Sequence, residues 1–339
     1  MPRTMDGCIG LSTQDSMRLY VDDKLLIDGW GKDKSADQAL DFHFEAGRTY
    51  KIRIEFVNDR RGARVIFGYS AGRENFPAAV EAARKADVAI LCMGDNEETS
   101  GENFDRTDLN LPGRQLELVQ AVYATGTPVV LVLQSGRPVT ANWENDHLPA
   151  ILEAWFPGEQ GGTAIAKTLF GDAAPGGRLP ITFPRSVGQI PCHYSRRPGG
   201  GKRYVEMDWL PLYPFGYGLT YTTFAYRDMA LSRSVIDPQD TVTVSVTVTN
   251  TGKYTGDAVP QLYVRDMFSS VVKPERQLAA FRRLTLAPGE SRRVELTVGP
   301  KQLRTLGPDY VWRVEPGKFE LQLGDNAENI LLRADLTVE

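Results

Sequence analysis

The chain has 339 residues, a net charge of -4 and 24% charged residues, a composition that is ordinary for a soluble protein with room for two or three domains. This balance provides no basic patch for nucleic acid, and no apolar run approaches membrane-spanning length. The three cysteines, at positions 8, 92 and 192, are too few and too scattered for a disulfide framework or a zinc site. No signal-peptide features follow Met1, which favours a cytoplasmic location slightly and leaves the compartment open.

Residues 1–70 are predicted to form β structure. Met17–Val21 and Lys24–Ile27 have the pattern of two strands joined by a tight turn. Tyr50–Val57 alternates apolar and polar side chains, which predicts a half-buried strand, and Ala63–Tyr69 predicts a further strand.

Residues 73–200 alternate predicted helices and strands. Short apolar runs predict buried strands at Asp87–Cys92, Pro128–Leu133 and Ala150–Phe156, with Cys92 as a small core residue. Apolar residues at helical spacing predict three helices, at Phe76–Ala83, Arg114–Ala124 and Gln160–Phe170. Strands that alternate with helices indicate an α/β layered domain with a largely parallel sheet.

The last third of the chain is predicted to be a β-sandwich. Thr241–Thr249 is the clearest period-two stretch in the sequence. Val259–Val264, Arg292–Val298 and Lys318–Leu323 follow, separated by Pro-Gly turns. Several short strands in about a hundred residues are typical of a sandwich.

The loop Met93–Gly113 is acidic, contains several glycines and lies between a predicted strand and a predicted helix. Such a loop lies at the carboxyl edge of the sheet, where ligands bind in open α/β folds. Within it, Glu102 stands three residues before Asp105 and four before Arg106. The loop is therefore the first candidate for a functional site.

Two motifs in this loop resemble the acid/base loop of glycoside hydrolase family 3, the β-glucosidase-type enzymes: Gly101-Glu102-x-x-Asp105-Arg106 and Leu111-Pro112-Gly113-x-Gln115. The resemblance implies that Glu102 is the catalytic acid/base. The family usually has glycine directly after this glutamate, where this chain has Asn103. Because asparagine tolerates left-handed backbone angles better than most residues, we expect the loop shape to be kept.

The resemblance extends over nearly the whole chain. Phe156–Gly162 and Leu169–Pro180 are similar to the family's C-terminal α/β domain, and Tyr213–Tyr221 is similar to its junction with a fibronectin type III-like domain. Asp15–Asp22 and Glu45–Glu55 resemble the later half of a protective-antigen-like β-sandwich that some members carry as an insertion. The first strands of that sandwich are expected to be missing, because few residues precede Met17. The implied domains are a partial protective-antigen-like β-sandwich at 1–72, the family 3 α/β domain at 73–220 and a fibronectin type III-like domain at 221–339.

The resemblance implies a retaining glycosidase that acts on a β-glucoside or an oligosaccharide with a terminal β-linked sugar. Retention requires two carboxyl groups about 5–5.5 Å apart, one that attacks the sugar and one that protonates the leaving oxygen. In the family the attacking aspartate lies on an N-terminal barrel, and no segment of this chain matches that barrel. We therefore expect the chain to be a catalytically incomplete portion with little or no hydrolysis alone, and a barrel as a possible partner. No cofactor, metal, nucleic acid or membrane is implied.

Several alternatives remain open. Glu97 or Glu98 could be the acid instead, or the loop could be no more than a solvated acidic segment. Asp105 and Arg106 are expected to shape the loop through a local ion pair rather than to touch sugar. The chain could also be a non-catalytic carbohydrate-binding or interaction module, and an incompletely covered sheet would expose apolar surface and favour self-association.

Other candidate residues have structural explanations, and no substrate-binding residue is assigned. Glu159 is expected to cap a helix. His147 and His193 lie in predicted loops without the partners of a metal or triad site. Trp143 and Trp155 could stack on a sugar, but they are more simply explained as buried aromatic residues. Asp22, Asp23 and Trp30 could also contact a bound sugar.

Overall fold

The structure is a computed structural model that describes residues 1, 4–13, 16–31, 38–57, 65–70, 76–199 and 203–339. The chain divides into two compact units, Met1–Lys85 and Ala86–Glu339. Each unit has its own sheets.

The described residues of the first unit form two three-stranded antiparallel sheets, with the strand orders β4-β1-β6 and β3-β2-β5, and one helix. Its core includes Ile9, Met17 and Leu19, each almost completely buried. The elements are β1 (Met5–Thr13), β2 (Met17–Val21), β3 (Lys24–Asp28), β4 (Gln38–Phe44), β5 (Ile52–Phe56), β6 (Val65–Ser70) and α1 (Pro77–Arg84).

The predicted hairpin is confirmed, because β2 and β3 pair antiparallel and Asp22 and Asp23 have φ angles of 50° and 62°. Both central residues of this type of two-residue turn must have positive φ angles, and aspartate accepts them more readily than most residues do. The half-buried alternation predicted for Tyr50–Val57 is wrong. The strand found there, β5, is shorter than predicted, and buried and exposed residues do not alternate along it. Ala63 and Arg64, at the start of the predicted last strand, lie outside the described residues.

Sequence reasoning missed two strands of this unit. β1 precedes Met17 and forms the centre of its sheet, so the region before the hairpin carries more of the sandwich than expected. Gly7, Cys8 and Gly10 weaken the alternation of apolar and polar residues in β1, so the period-two signal on which strand prediction depends is poor there. In β4, by contrast, Leu40, Phe42 and Phe44 alternate with Asp41 and His43, so a strand signal was present and was overlooked.

The second unit begins with a parallel sheet of order β7-β8-β9 and its helices. The elements are β7 (Ala89–Gly94), α2 (Gln115–Tyr123), β8 (Val129–Gln134), α3 (Asn142–His147), β9 (Ala150–Glu153) and α4 (Gly161–Leu169), followed by a short 3-10 turn at Val187–Gln189. The central strand β8 is the most deeply buried of the three. The predicted parallel sheet is confirmed.

The prediction that β7 is a buried strand is wrong. β7 lies at an edge of its sheet and alternates between half-buried and exposed residues. Val88 and Ile90 are 48% and 44% exposed, and Cys92 is exposed rather than a core residue. The predicted exposed apolar surface is therefore present on this strand and on Val88 just before it.

Two other predictions in this part of the chain need correction. α3 was missed because its sequence, Asn-Trp-Glu-Asn-Asp-His, combines weak helix formers with no apolar repeat. The third strand was predicted to reach Phe156, but β9 ends at Glu153 and Trp155 has a φ of 52°, which is outside the strand region.

The rest of the second unit is a β-sandwich of two main sheets, with the orders β10-β12-β17 and β11-β21-β20-β14-β15. In β12 buried and half-buried residues alternate along the whole strand, as predicted. The elements are β10 (Phe224–Leu231), β11 (Val235–Ile236), β12 (Val242–Asn250), β13 (Gly256–Ala258), β14 (Gln261–Asp266), β15 (Gln277–Phe281), β16 (Leu284–Leu286), β17 (Ser291–Val298), α5 (Pro300–Leu303), β18 (Thr305–Leu306), β19 (Trp312–Arg313), β20 (Gly317–Gly324) and β21 (Ile330–Val338).

Candidate active site

The acidic loop leaves the carboxyl edge of the parallel sheet. Gly94, the last residue of β7, pairs with Gln134 at the end of β8, and Glu153 ends β9 at the level of Leu133. The amide of Asp95 then donates a hydrogen bond of 2.9 Å to the carbonyl oxygen of Gln134. The loop therefore begins at the edge where parallel α/β sheets bind ligands.

Gln115, the first residue of α2, joins the helix to the end of β7. Its Nε2 donates to the carbonyl oxygen of Gly94 at 2.8 Å, and its Oε1 accepts from the amide of Gly94 at 2.7 Å. Gly94 has a φ of 142°, and a Cβ atom there would overlap the carbonyl oxygen of Gln134. These contacts explain why the loop begins at a glycine and why a glutamine opens the following helix.

A buried ion pair holds the base of the loop. The side chain of Asp95 is 0% exposed and that of Arg137 is 15% exposed. Nη2 of Arg137 donates to Oδ1 of Asp95 at 3.1 Å, and its Nε lies 2.9 Å from Oδ2. The same guanidinium donates to the carbonyl oxygens of Leu109 and Asn110, at 2.8 and 3.0 Å. Arg137 thus fixes the start and the end of the loop at one point.

Arg106 ties together the two ends of the segment that carries Glu102. Its Nη1 donates to the carbonyl oxygen of Thr99 at 3.0 Å and lies 3.7 Å from Oδ1 of Asp95. The expected ion pair between Arg106 and Asp105 is therefore wrong, because the guanidinium turns inward to the buried Asp95. A buried carboxylate attracts a cation more strongly than a solvated one does.

Glu102 lies at the corner of a tight turn. The amide of Phe104 donates to the carbonyl oxygen of Gly101 at 3.2 Å, so Glu102 and Asn103 are the two central residues. Asn103 has a φ of 66° and Glu102 does not have a positive φ, which is the pattern of a type II turn. The expectation that Asn103 preserves a left-handed position is confirmed. The carboxyl group of Glu102 is exposed and has no hydrogen-bond partner among the described residues.

The other acidic candidates of the loop lie nearer its base. Glu97 and Glu98 are exposed residues of a preceding turn, in which the amide of Glu98 donates to the side chain of Asn96 at 3.0 Å. The structure thus separates two exposed carboxylates at one turn from Glu102 at the next. Two exposed aromatic side chains occur in this region, Phe104 at 50% and Phe156 at 55%.

Glu153 is a titratable group at this edge that sequence reasoning missed. Burial raises the pKa of its carboxyl group to about 7, while a hydrogen bond of 3.0 Å from the amide of Trp155 opposes that rise. Sequence alone gave no signal, because the residue lies in the middle of the apolar run Ala150–Phe156, which predicted only a buried strand. A carboxyl group that is partly protonated near neutral pH can hold or release a proton.

The structural roles that the sequence suggested for Glu159, His147 and the two tryptophans are only partly confirmed. Glu159 does not cap α4, since the N-cap is Gln160 and no side-chain cap bond forms. His147 ends α3 rather than lying in a loop, and its ring stacks on Trp143 at 4.3 Å. Trp155 packs edge-on against Phe183 at 5.8 Å. Both tryptophans are partly buried, and their packing partners are protein rings.

The candidates in the first unit also have protein partners. Asp22 accepts hydrogen bonds from the amide of Lys51 and from Arg48, each at 2.9 Å. Asp23 pairs with the Lys51 ammonium at 3.2 Å. The guanidinium of Arg18 lies 4.8 Å above the ring of Trp30.

No group of three or more histidine, cysteine or acidic side chains is placed to hold a metal ion within the described parts of the chain. In the same residues, no helix combines the length and apolar character needed to cross a bilayer.

Comparison with protein families gives two matches. Residues 12–221 match the model of the glycosyl hydrolase family 3 C-terminal domain, and residues 258–327 match that of a fibronectin type III-like domain. The chain therefore belongs to glycoside hydrolase family 3.

Relatives with curated names are glycosidases. A beta-xylosidase of Formosa agariphila is 45% identical over 302 residues, which cover 86% of this chain and 42% of that protein. A beta-glucosidase of Rhizobium radiobacter is 34% identical and covers 99% of this chain and 45% of its own length. This chain thus spans less than half of these relatives.

A similar fold occurs in a crystal structure of a beta-glucosidase from Kluyveromyces marxianus in complex with glucose. That structure has a TM-score of 0.75 and 28% identity, and the match covers 100% of this chain and 44% of the solved chain.

Proposed function

We propose that this chain is the acid/base-bearing part of a retaining β-glycosidase that acts on terminal β-linked sugars. The observation that carries the proposal is the placement of Glu102, an exposed carboxyl group at the corner of a turn. The ends of that turn segment are tied to the buried pair of Asp95 and Arg137. A carboxyl group on a fixed base that projects into solvent can approach a substrate bound by another part of the enzyme.

In this mechanism Glu102 first donates its proton to the departing glycosidic oxygen. The attacking aspartate bonds to the anomeric carbon as the glycosidic bond breaks. The Glu102 carboxylate then removes a proton from water, whose oxygen attacks that carbon and frees the sugar from the aspartate. The attacking aspartate would come from a barrel outside the 339 residues. That aspartate would be the second of the two carboxyl groups that retention requires.

The family's domain order supports a three-part division: a partial protective-antigen-like sandwich at 1–72, an α/β domain at 73–220 and a fibronectin type III-like domain at 221–339. The names of the relatives favour β-glucosides and β-xylosides as substrates. Exposed Ile90 on the edge strand β7, and exposed Val88 just before it, support a further protein segment as the partner of this sheet.

A chimera tests the role of Glu102. The matching C-terminal region of the Formosa agariphila beta-xylosidase is replaced by this chain, so that the relative supplies everything outside the match. We expect the chimera to hydrolyse an aryl β-xyloside, whereas the 339-residue chain alone shows little or no turnover. Glu102→Gln should reduce turnover of a xyloside with a poor leaving group by about 100-fold or more, since proton donation is lost.

The signature of a lost acid/base distinguishes this effect from misfolding. In the Glu102→Gln chimera, an activated aryl xyloside should be cleaved with a much smaller defect, and added azide should restore turnover with formation of a β-xylosyl azide. Glu97→Gln and Glu98→Gln are matched controls from the same loop, and both should remain active. Azide rescue in either control, or an equal defect for both leaving groups in Glu102→Gln, contradicts the assignment.

A further inference from the structure

A cavity of about 340 Å³ lies in the second unit, away from the acidic loop in sequence. Its wall is formed by residues between 182 and 197, by residues between 204 and 215, and by Glu328 of the sandwich. This volume lies at the lower end of the range for small-molecule sites. None of the residues in the acidic loop lines it.

The two half-buried charges in this wall, Arg196 and Glu328, are already matched, whereas the other cation of the wall, Arg197, is exposed to solvent. Nη1 of Arg196 lies 2.7 Å from Oε1 of Glu328, and its Nε lies 3.2 Å from Oε2 of Glu275. Arg276 adds a second cation 3.8 Å from Glu328. Because a half-buried charge still needs a partner, a charged ligand at Arg196 or Glu328 would disturb this paired network. The wall therefore favours a neutral ligand that can both donate and accept hydrogen bonds.

Aromatic side chains form the other part of the wall. Trp209 is 40% exposed, and the guanidinium of Arg196 lies 4.6 Å from its ring centroid. Tyr194 stacks on Phe215 at 4.2 Å. Tyr204 lines the same cavity and donates its hydroxyl to the carbonyl oxygen of Gly188 at 3.0 Å. These rings are held in place before any ligand arrives, which reduces the entropy lost on binding.

The backbone beneath Trp209 is also fixed. Gln189 is 5% exposed, and its Nε2 donates to the carbonyl oxygen of Trp209 at 3.1 Å. Its Oε1 accepts from the amide of Arg185 at 2.6 Å. Two other residues that line the cavity, His193 and Arg197, are exposed to solvent.

We infer that this cavity binds one neutral pyranose residue, free or at the end of a β-linked saccharide, as a second sugar site. A pyranose has an apolar face that can pack on an aromatic ring and a rim of hydroxyl groups that can bond to Arg196 and Glu328. Such a ligand leaves the charge balance of the wall intact. The sugar class rests on the proposed function, whereas the site requires neither Glu102 nor a barrel.

A pair of tryptophan substitutions tests this site in the 339-residue chain. Trp312 is a matched control, since it is 54% exposed and carries the guanidinium of Arg304 at 4.4 Å, yet it does not line the cavity. Binding of methyl β-xylopyranoside and methyl β-glucopyranoside is measured by calorimetry or by ligand-observed NMR. Trp209→Ala should weaken binding by about tenfold or more, and Trp312→Ala should leave it unchanged.

Chemical labelling gives a second readout that does not depend on a substituted protein. Cys192 lines the cavity, while Cys92 is exposed outside it. A saturating pyranoside should slow alkylation of Cys192, followed by peptide mass spectrometry, and should leave Cys92 unaffected. Equal alkylation of Cys192 with and without sugar contradicts the site.

Three further outcomes overturn the inference: no saturable pyranoside binding, equal loss in both tryptophan variants, or stronger binding of glucuronate than of the neutral sugars. Glu102→Gln separates this inference from the proposed function, because it should leave binding at the cavity unchanged. Loss of binding in that variant would place the sugar at the acidic loop instead. Failure of the xylosidase chimera would leave the cavity result standing.

Discussion

Asp95 and Arg137 form a buried ion pair in which two guanidinium nitrogens face the two carboxylate oxygens, at 3.1 and 2.9 Å. The residues are 42 positions apart and follow two neighbouring parallel strands, β7 and β8. The pair therefore links the loop that carries Glu102 to the turn after the central strand. Several consequences of this arrangement can be measured.

Removal of Arg137 should destabilise the second unit strongly. Arg137→Ala leaves the fully buried carboxylate of Asp95 without its main partner, and we expect the free energy of unfolding to fall by about 3–5 kcal/mol in denaturant titrations. Arg114→Ala is the control, because Arg114 pairs with Glu117 at the surface, where the loss should be below about 1 kcal/mol. Similar small losses in both variants would show that the buried pair does not hold the loop.

The turn at Glu102 should depend on its third residue. Asn103 has a φ of 66°, so Asn103→Gly should change the free energy of unfolding by less than about 0.5 kcal/mol. Asn103→Val should cost about 1–2 kcal/mol, since a β-branched residue is strained at positive φ. Asp105→Val, two positions further along, is an exposed control without positive φ. An equal effect of valine at both positions contradicts the turn.

Glu153 should make stability depend on pH between its ordinary pKa of 4.5 and about 7. Because folding raises this pKa, the stabilising effect of the protonated group is complete below pH 4.5 and is lost as pH rises through 7. In Glu153→Gln, the decline in unfolding free energy over this range should be smaller by roughly 1–3 kcal/mol. Glu159→Gln, an exposed change nearby, should retain the decline, and an unchanged slope in Glu153→Gln would exclude this residue as its source.

Gly94 should be intolerant of any side chain. Gly94→Ala places a methyl group on the carbonyl oxygen of Gln134 at a φ of 142°, so we expect a loss of about 3 kcal/mol or more, or no folded second unit. Gly113 also has a positive φ, 61°, but its Cβ would meet no atom within 4 Å. Gly113→Ala should therefore cost about 1 kcal/mol. Thermal unfolding by circular dichroism compares the two, and equal midpoints would contradict the close approach at Gly94.

Strong periodicity identified several elements correctly, but it was not sufficient, because the alternating strand β4 was overlooked. The alternation of Thr241–Thr249 predicted β12 well, and the apolar run Pro128–Leu133 predicted β8. A similar run at Asp87–Cys92 gave a strand that is not buried, because hydrophobicity reveals what a strand tends to bury but not whether a neighbouring layer is present. Local pattern alone could not supply that information.

The candidate site shows the same division between local and distant information. Glu102 and the left-handed conformation of Asn103 could be predicted from a short motif, since the shape of a turn depends on adjacent residues. The role of Arg137 could not be predicted in this way, because its pairing with Asp95 depends on how two strands align. Arg106 was expected to pair with Asp105, its neighbour in sequence, but its guanidinium lies near the fully buried carboxylate of Asp95.

A hydrogen bond from Arg106 to the carbonyl oxygen of Thr99 closes the segment between these two residues. The residues at the tip of the segment take no part in this contact. Substitutions at exposed positions of this tip, such as Phe104 and Asp105, can alter its shape and polarity while the anchoring cations stay in place. A mutational library confined to those positions should therefore yield mostly folded variants, in which the shape and polarity of the loop surface change independently of folding. The tip of the loop can therefore be varied while the contacts at its base remain.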